Sequence, residues 1–277
     1  MTQQRTIIVT GCSSGIGAYA ARALKNDGWR VFATVRNPDD QKALENDGLE
    51  ALIMDYRDEA SIEALVKEVL ARTGGTLDAL FNNGAYGQAG AVEDLPTAAL
   101  REQFETNVIG WHDLTRRIVP VMRAQGHGRI VQCSSILGLL PYRWRGAYTA
   151  SKYALEGLSL TLRMELDGSG IFVSLIEPGP ITSRFLANSL AAVQRNIDVE
   201  NSVHAKDYQR QLARLTETGA VNRNKLGPDA VYKVLQHALT AKRPRPHYLV
   251  TKPAKQGAIL KRLMPSDLFY RLMRSLD

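Results

Sequence analysis

The sequence predicts a doubly wound α/β fold, a central parallel sheet with helices on both faces, and three observations carry that prediction. Apolar runs of strand length alternate with amphipathic stretches of helix length from residue 5 to residue 251. The strand runs are nearly continuous in apolar residues, as strands covered on both faces must be. A glycine-rich turn, Thr10-Gly11-Cys12-Ser13-Ser14-Gly15-Ile16-Gly17, joins the first strand to the first helix, at the end of the sheet where such folds bind ligands.

The elements follow in order. Strands are expected at residues 5–10, 30–35, 49–54, 77–82, 129–133, 171–176 and 247–251. Helices are expected at 16–27, 38–46, 61–73, 97–104, 108–125 and 147–167. Residues 183–226 are polar and helical in places. Gly227-Pro228 opens a last regular helix to residue 241, with Pro at a position that tolerates it. There is no repeat, low-complexity stretch or linker, so residues 1–277 read as one domain.

Composition excludes several classes. With 44% hydrophobic and 23% charged residues the chain is ordinary for a globular enzyme. No apolar run approaches the ~20 residues that span a bilayer. Residues 1–5 run straight into an apolar strand, so no secretory signal is expected. Cys12 and Cys133 are expected as reduced thiols of a cytoplasmic protein. The net charge of +7 is localised. Residues 242–277 hold nine basic and two acidic side chains, and the remaining 241 residues hold 26 of each. The basic character therefore belongs to the tail and does not indicate a nucleic-acid-binding body.

The glycine turn has the spacing G-x-x-x-G-x-G. Gly11 allows the tight turn, Gly15 lets backbone approach a pyrophosphate, and Gly17 lets helix and strand pack closely. The helix N-terminus then faces the anion. The second strand ends in Arg36, where an acid would instead bind a ribose 2′-hydroxyl. An arginine there pairs with a 2′-phosphate, and Ser13 or Ser14 adds a hydroxyl, so NADP(H) is favoured over NAD(H). Asp39 and Asp40 lie close enough in sequence to weaken that contrast.

Tyr148 and Lys152 are four apart near the start of a helix, on one face and one turn apart. A free tyrosine, with a pKa near 10, is too weak an acid to exchange protons with an alcohol at neutral pH, and a nearby ammonium favours the tyrosinate. Ser135 ends the preceding strand and faces the same crevice. Asn107 falls between two expected helices, where a side-chain amide interrupts helical pairing and holds a water. Asn82-Asn83-Gly84-Ala85 ends the fourth strand at the crevice rim.

On these residues the chain resembles the short-chain dehydrogenase/reductase family over roughly residues 5–185. The matching motifs are the Thr10–Gly17 turn, Asn82-Asn83-Gly84-Ala85, Asn107, Ser135, Tyr148-x-x-x-Lys152 and Pro178-Gly179. The resemblance implies a Rossmann fold and carbonyl/alcohol chemistry with a nicotinamide cofactor. It implies that Tyr148 exchanges the proton of the substrate oxygen, that Lys152 binds the nicotinamide ribose and lowers the tyrosine pKa, that Ser135 orients substrate, and that Asn107 holds a relay water. It further implies cofactor contacts from Gly11, Ser13, Ser14, Gly15, Ile16, Gly17, Asp55, Tyr56, Asn83, Gly84, Ala85, Pro178, Gly179, Ile181 and Ser183. A homodimer or homotetramer built on the helices beginning near Val108 and Ala147 is also implied. Ala33-Thr34-Val35-Arg36 and Ala154-Leu155-Glu156-Gly157-Leu158 are most similar to the 17β-hydroxysteroid and retinol dehydrogenase branch. One departure is the order Gly84-Ala85, where the family commonly has Ala-Gly.

Substrate is expected over Ser135 and Tyr148. Tyr142 and Trp144 either wall an apolar pocket or pack on the protein itself, and Phe185 opens the lid, residues 183–226. That lid carries Val193, Ile197, Val199, Tyr208, Leu212 and Leu215, which suits a lipophilic aldehyde, ketone or alcohol of steroid, retinoid or fatty-aldehyde type. No metal is expected. The alternative is a non-catalytic dinucleotide-binding regulator, but all four catalytic positions are present.

The tail, residues 255–277, reads as a basic amphipathic segment. Leu268, Phe269, Leu272, Met273 and Leu276 fall within an arc of about 140° of a helix, opposite Arg271 and Arg274. Docking on the protein body is the favoured reading, over a partner subunit or an anionic membrane surface.

Overall fold

The structure is a computed structural model that describes residues 4–216 and 225–275. The side chains of Leu212 and Leu215, and Leu276 altogether, lie outside the described residues.

Seven strands form one parallel sheet: β1 (Thr6–Val9), β2 (Arg30–Val35), β3 (Glu50–Ile53), β4 (Ala79–Asn82), β5 (Gly128–Cys133), β6 (Ile171–Pro178) and β7 (His247–Val250). Their spatial order is β3-β2-β1-β4-β5-β6-β7. The order reverses between β1 and β4, where Ile8 pairs with Phe32 on one side and Leu80 on the other. Right-handed crossovers running away from β1 in both directions put helices on both faces. The central strands are fully covered, with Ile7, Ile8, Val9, Leu80, Phe81 and Ile130 at 0% exposure, which explains their unbroken apolar runs.

Helices α1 (Gly15–Asn26), α2 (Pro38–Asn46) and α3 (Glu59–Thr73) alternate with the first strands. Asn37 caps α2 by accepting from Asp39 N–H, and Asp58 caps α3 through Ala60 N–H. Between β4 and β5 the sequence reading expects two helices parted at Asn107. Instead α4 (Thr97–Phe104), a π-helical turn over Glu105–Ile109 and α5 (Gly110–Gln125) run on as one helix. The widened turn frees the Asn107 amide from the regular pattern without ending the helix, as π turns at functional positions do. Gly110 is obligatory there, because a Cβ would meet the Tyr56 carbonyl oxygen at 2.3 Å.

After β5 a 3₁₀ turn over Ile136–Gly138 leads to α6 (Gly146–Glu165). The lid contains α7 (Phe185–Asn196) and α8 (Ala205–Thr216), and its base is closed by a bridge between Ile181 and Leu226. Tyr208 of α8 donates to Asp94 and accepts from Ala91 N–H, fastening the lid to the loop after β4. Helix α9 (Pro228–Thr240) packs on α1 and brings the chain to β7. The tail forms α10 (Lys252–Leu263) and α11 (Ser266–Arg274). Thr251 caps α10 through Ala254 N–H from a left-handed backbone, φ 86°, which costs a branched residue energy and is held by burial at the end of β7.

Candidate active site

The glycine turn lies across the carboxyl end of β1. Gly11 and Gly15 have φ of 68° and 59°. A Cβ on Gly17 would meet the Gly11 carbonyl oxygen at 2.3 Å, and one on Gly11 would meet Gly84 Cα at 2.4 Å. The reversed Gly84-Ala85 order therefore places a glycine against the turn. The turn is braced from below. Thr10 Oγ1 accepts from the N–H groups of Asn83 and Gly84, and the Asn83 amide donates to the Thr10 carbonyl. Cys12 is buried, and burial pushes its thiol up to about 12, so it packs and does not react.

Ser14 occupies the N-cap of α1 yet makes no side-chain capping bond. Together with the orphan N–H groups of the first turn this leaves donors aimed outward. They face a crevice of about 480 Å³ lined by Ser14, Gly15, Tyr19, Arg22, Thr182, Ser183, Arg184 and Pro228. The donor set is that of a phosphate site, a helix N-terminus flanked by hydroxyls and guanidinium groups. A pyrophosphate-bearing cofactor fits it. Ser183 stands where a Gly15 side chain would, its Cβ 2.9 Å from the position a Gly15 Cβ would take, so the Ser183 segment and the turn form one wall. Tyr19, Arg22 and Arg184 were not legible as site residues, because each reads as an ordinary exposed helix or loop position.

Arg36 follows β2, exposed, beside Asp55 after β3. Asp55 pairs with Arg57 at 2.8 Å, and this pairing holds its carboxyl below the usual value against the opposing effect of burial. Asp39 and Asp40 are taken into the first turn of α2. Tyr56, expected at the cofactor surface, points the other way. Its hydroxyl lies 2.7 Å from both Thr10 Oγ1 and Asn82 Oδ1, and its ring packs on Trp111. The phenol is used beneath the floor of the cleft, satisfying two buried polar groups.

Beyond β5 the four catalytic candidates converge. Ser135 caps the 3₁₀ turn through Leu137 N–H, and its hydroxyl lies on the Tyr148 side of the cleft. Burial pushes the Tyr148 pKa upward, and the neighbouring Ser135 hydroxyl opposes it. Lys152 is buried, donates to the Cys133 carbonyl at 2.8 Å, and lies 4.3 Å from the Trp111 ring centre and 5.7 Å from the Tyr148 ring centre. Burial lowers its pKa to about 8. The Asn107 amide donates to the Tyr86 carbonyl at 2.9 Å and to Ser151 at 3.4 Å, while its oxygen accepts from Tyr86 N–H. Trp111, one turn after Asn107, was missed by sequence reasoning. It donates to the Gly84 carbonyl and lies under the lysine.

On the substrate side, Phe185 covers Tyr148, with ring centres 5.1 Å apart. It also abuts Gly87, whose Cβ would fall 2.5 Å from the phenylalanine ring. Of the two readings for Trp144, packing on the protein holds. Its ring sits 5.4 Å from Tyr208 and 5.2 Å from His204, within a small apolar cluster formed with Ala89, Ala91, Val193 and Ile197. Trp144 thus anchors the lid helix, from a left-handed backbone of φ 61°. Tyr142 is half-exposed on the same loop. Pro178-Gly179 is pinned by Gly179 N–H donating to the Val250 carbonyl, and Gly179 has no room for a Cβ against Thr251 Oγ1.

A phosphate-binding turn at the reversal of strand order and a hydroxyl–phenol–ammonium cluster beside it define a dinucleotide-dependent oxidoreductase. The chain belongs to the short chain dehydrogenase family, whose profile matches residues 5–194. It is 39% identical to an uncharacterized oxidoreductase, YbbO, of Escherichia coli over 98% of this chain and 94% of the relative. It is 32% identical to bovine retinol dehydrogenase 8 over 87% of this chain and 79% of that one. It is 32% identical to human 17-beta-hydroxysteroid dehydrogenase type 1, over 89% and 77%. Among solved structures it is similar to a short-chain dehydrogenase from Streptomyces avermitilis, with TM-score 0.75, 27% identity and full coverage of both chains. It is also similar to actinorhodin polyketide ketoreductase with NADPH, with TM-score 0.72, 28% identity, and 89% and 95% coverage.

Proposed function

We propose that this oxidoreductase interconverts a lipophilic carbonyl compound and its alcohol with NADP(H). The observation that carries the reading is the convergence of Ser135, Tyr148 and Lys152 at the carboxyl ends of β5 and α6's first turns, beside the phosphate crevice. The cofactor, when bound, supplies or accepts the hydride at the substrate carbon. In reduction the Tyr148 hydroxyl gives its proton to the developing alkoxide, and in oxidation the tyrosinate takes it back. Ser135 Oγ holds the substrate oxygen, and Lys152 stabilises the tyrosinate by its charge. Asn107, held by Tyr86 on both edges of its amide, is a candidate holder of the water that returns the proton.

Arg36 supports NADP(H). It is exposed at the end of β2, the nearby Asp55 carboxylate is paired with Arg57, and Asp39 and Asp40 lie in the first turn of α2. A relative solved with NADPH agrees in kind. The apolar cover made by Phe185, and relatives named for retinol and hydroxysteroid substrates, support a lipophilic substrate. Exposed Ile109, Leu158 and Met164 on α5's approach and α6 support a dimer through those helices. The two buried unpaired thiols support a reducing, cytoplasmic location.

The test is oxidation of NADPH, followed by absorbance, against a panel of aldehydes and ketones beside a Tyr148→Phe variant. Turnover lost in the variant supports the reading. An unchanged variant overturns the acid/base assignment, and no turnover with cofactor still bound favours a binding module.

A further inference from the structure

The tail that the sequence assigns to docking on the body does dock: α11 lays Phe269 of its apolar stripe inward with Leu272 and Met273 partly covered, whereas α10 docks with the face opposite its apolar residues. Helix α10 is seated on the substrate-side loop. Ala254 is fully buried, Gly257 packs on Leu140, and Lys261 donates to the Leu139 carbonyl and to Tyr153. Phe269 alone of α11 is buried. The other face is open, with Leu263 at 75%, Ile259 at 56% and Leu268 at 53% exposure, and Leu260 beside them. On α10, Ile259, Leu263 and Leu260 span only about 100° of arc, and Lys255 and Arg262 border that arc within about 60° of Ile259. Lys252, Lys255, Arg262, Arg271 and Arg274 make no ion pair with a carboxylate among the described residues.

We propose that this outer face of α10 and α11 docks on an anionic lipid bilayer. Two observations select lipid over a protein partner. The segment after β7, residues 252–277, carries six basic side chains against two acidic ones. Its exposed cations flank an apolar stripe, the pattern of a helix lying in the headgroup region with its apolar side down. No helix among the described residues is long and apolar enough to cross a membrane. The opposite side of α10 touches Leu139 and Leu140, on the turn that leaves Ser135. A bilayer held at this face lies one helix diameter, about 10 Å, from the substrate-side loop, close to where a lipophilic substrate partitions. That last step rests on the proposed function, whereas docking itself does not.

The experiment is flotation of the full chain with phosphatidylcholine vesicles, and with phosphatidylcholine vesicles containing phosphatidylglycerol. Recovery with the anionic vesicles only, falling as salt is raised, is the expected result. Lys255→Ala/Arg262→Ala should weaken partition about 30-fold, roughly fivefold per cation. Leu260→Glu/Leu263→Glu should abolish it. Both variants should keep wild-type turnover of a water-soluble aldehyde and wild-type NADPH binding, which shows that they fold. Equal recovery of wild type and variants, or none with either vesicle, overturns the proposal. So does a dimer in sedimentation velocity that Leu260→Glu/Leu263→Glu dissociates without any vesicle binding, since a second copy would then cover the face. Turnover can fail while flotation succeeds, so the two readings are separable.

Discussion

The ring of Phe185 stands over the ring of Tyr148, edge toward face, with centres 5.1 Å apart and planes at 61°. The first residue of α7 therefore covers the phenol that the proposed chemistry uses. Phe185→Ala removes that cover. KM for a bulky ketone should fall several-fold while NADPH affinity stays level, and a small aldehyde should lose transition-state contacts and kcat/KM. Steady-state kinetics on a small and a large carbonyl checks the crossover. Parallel changes for both substrates would place Phe185 in folding and not in substrate selection.

Tyr148→Phe keeps the ring packing on Phe185 and removes only the hydroxyl. A loss of general acid catalysis of about 10²- to 10⁴-fold in kcat is expected, with NADPH binding unchanged by fluorescence titration.

Lys152 carries a pKa lowered to about 8 by burial. On the proposed mechanism its ammonium makes the Tyr148 phenol a stronger acid, so carbonyl reduction should decline as pH rises through about 8. A pH profile of kcat/KM checks this, and the limb should vanish in Lys152→Met along with most of the rate.

Arg36→Glu replaces a partner for a 2′-phosphate by a repelling carboxylate. NADPH affinity should drop at least about tenfold, the scale of one charge-assisted pair, and NADH affinity should rise. Equal losses for both cofactors would assign Arg36 a structural role.

Glu156, buried one turn beyond Lys152, has both carboxyl oxygens without a hydrogen bond, and His247 Nδ1 lies 3.8 Å from one of them. His247 is already engaged with Glu177 at 2.5 Å. Burial, and then Glu177, push the Glu156 carboxyl up to about 7. The native state thus holds this proton more tightly than the unfolded chain. The resulting stabilisation is complete below the unfolded value and lost as pH rises through 7. Glu156→Gln cannot lose a proton there. Relative to wild type it should gain up to about 3 kcal/mol between pH 4 and pH 8 in denaturant melts, the equivalent of that shift.

Most of the frame was legible locally. Every expected strand is present, because a strand covered on both faces must be apolar throughout and nothing else of that length is. The glycine turn was legible because positive φ at Gly11 and Gly15 and the tight approaches at Gly11 and Gly17 admit no side chain. Asn107 was legible as a special helix position but not as a π turn, since the extra residue per turn leaves no mark in an apolar pattern. Tyr56 misled because a tyrosine at a cleft rim reads the same whether its hydroxyl points out or down. Trp111, Arg22 and Arg184 left no local signal, since their meaning lies in neighbours tens of residues away.

The sequence by itself determined the alternation of strands and helices, the phosphate turn, and the Ser135, Tyr148 and Lys152 group, because backbone conformation and proton chemistry each permit few residue types at such places. Tertiary structure alone decided which faces are left open. Phe185 lies on Tyr148, Trp144 is spent on the lid, and α10 turns Ile259, Leu260 and Leu263 outward. An amphipathic pattern states that a face will be covered, while the packing of distant segments determines by what.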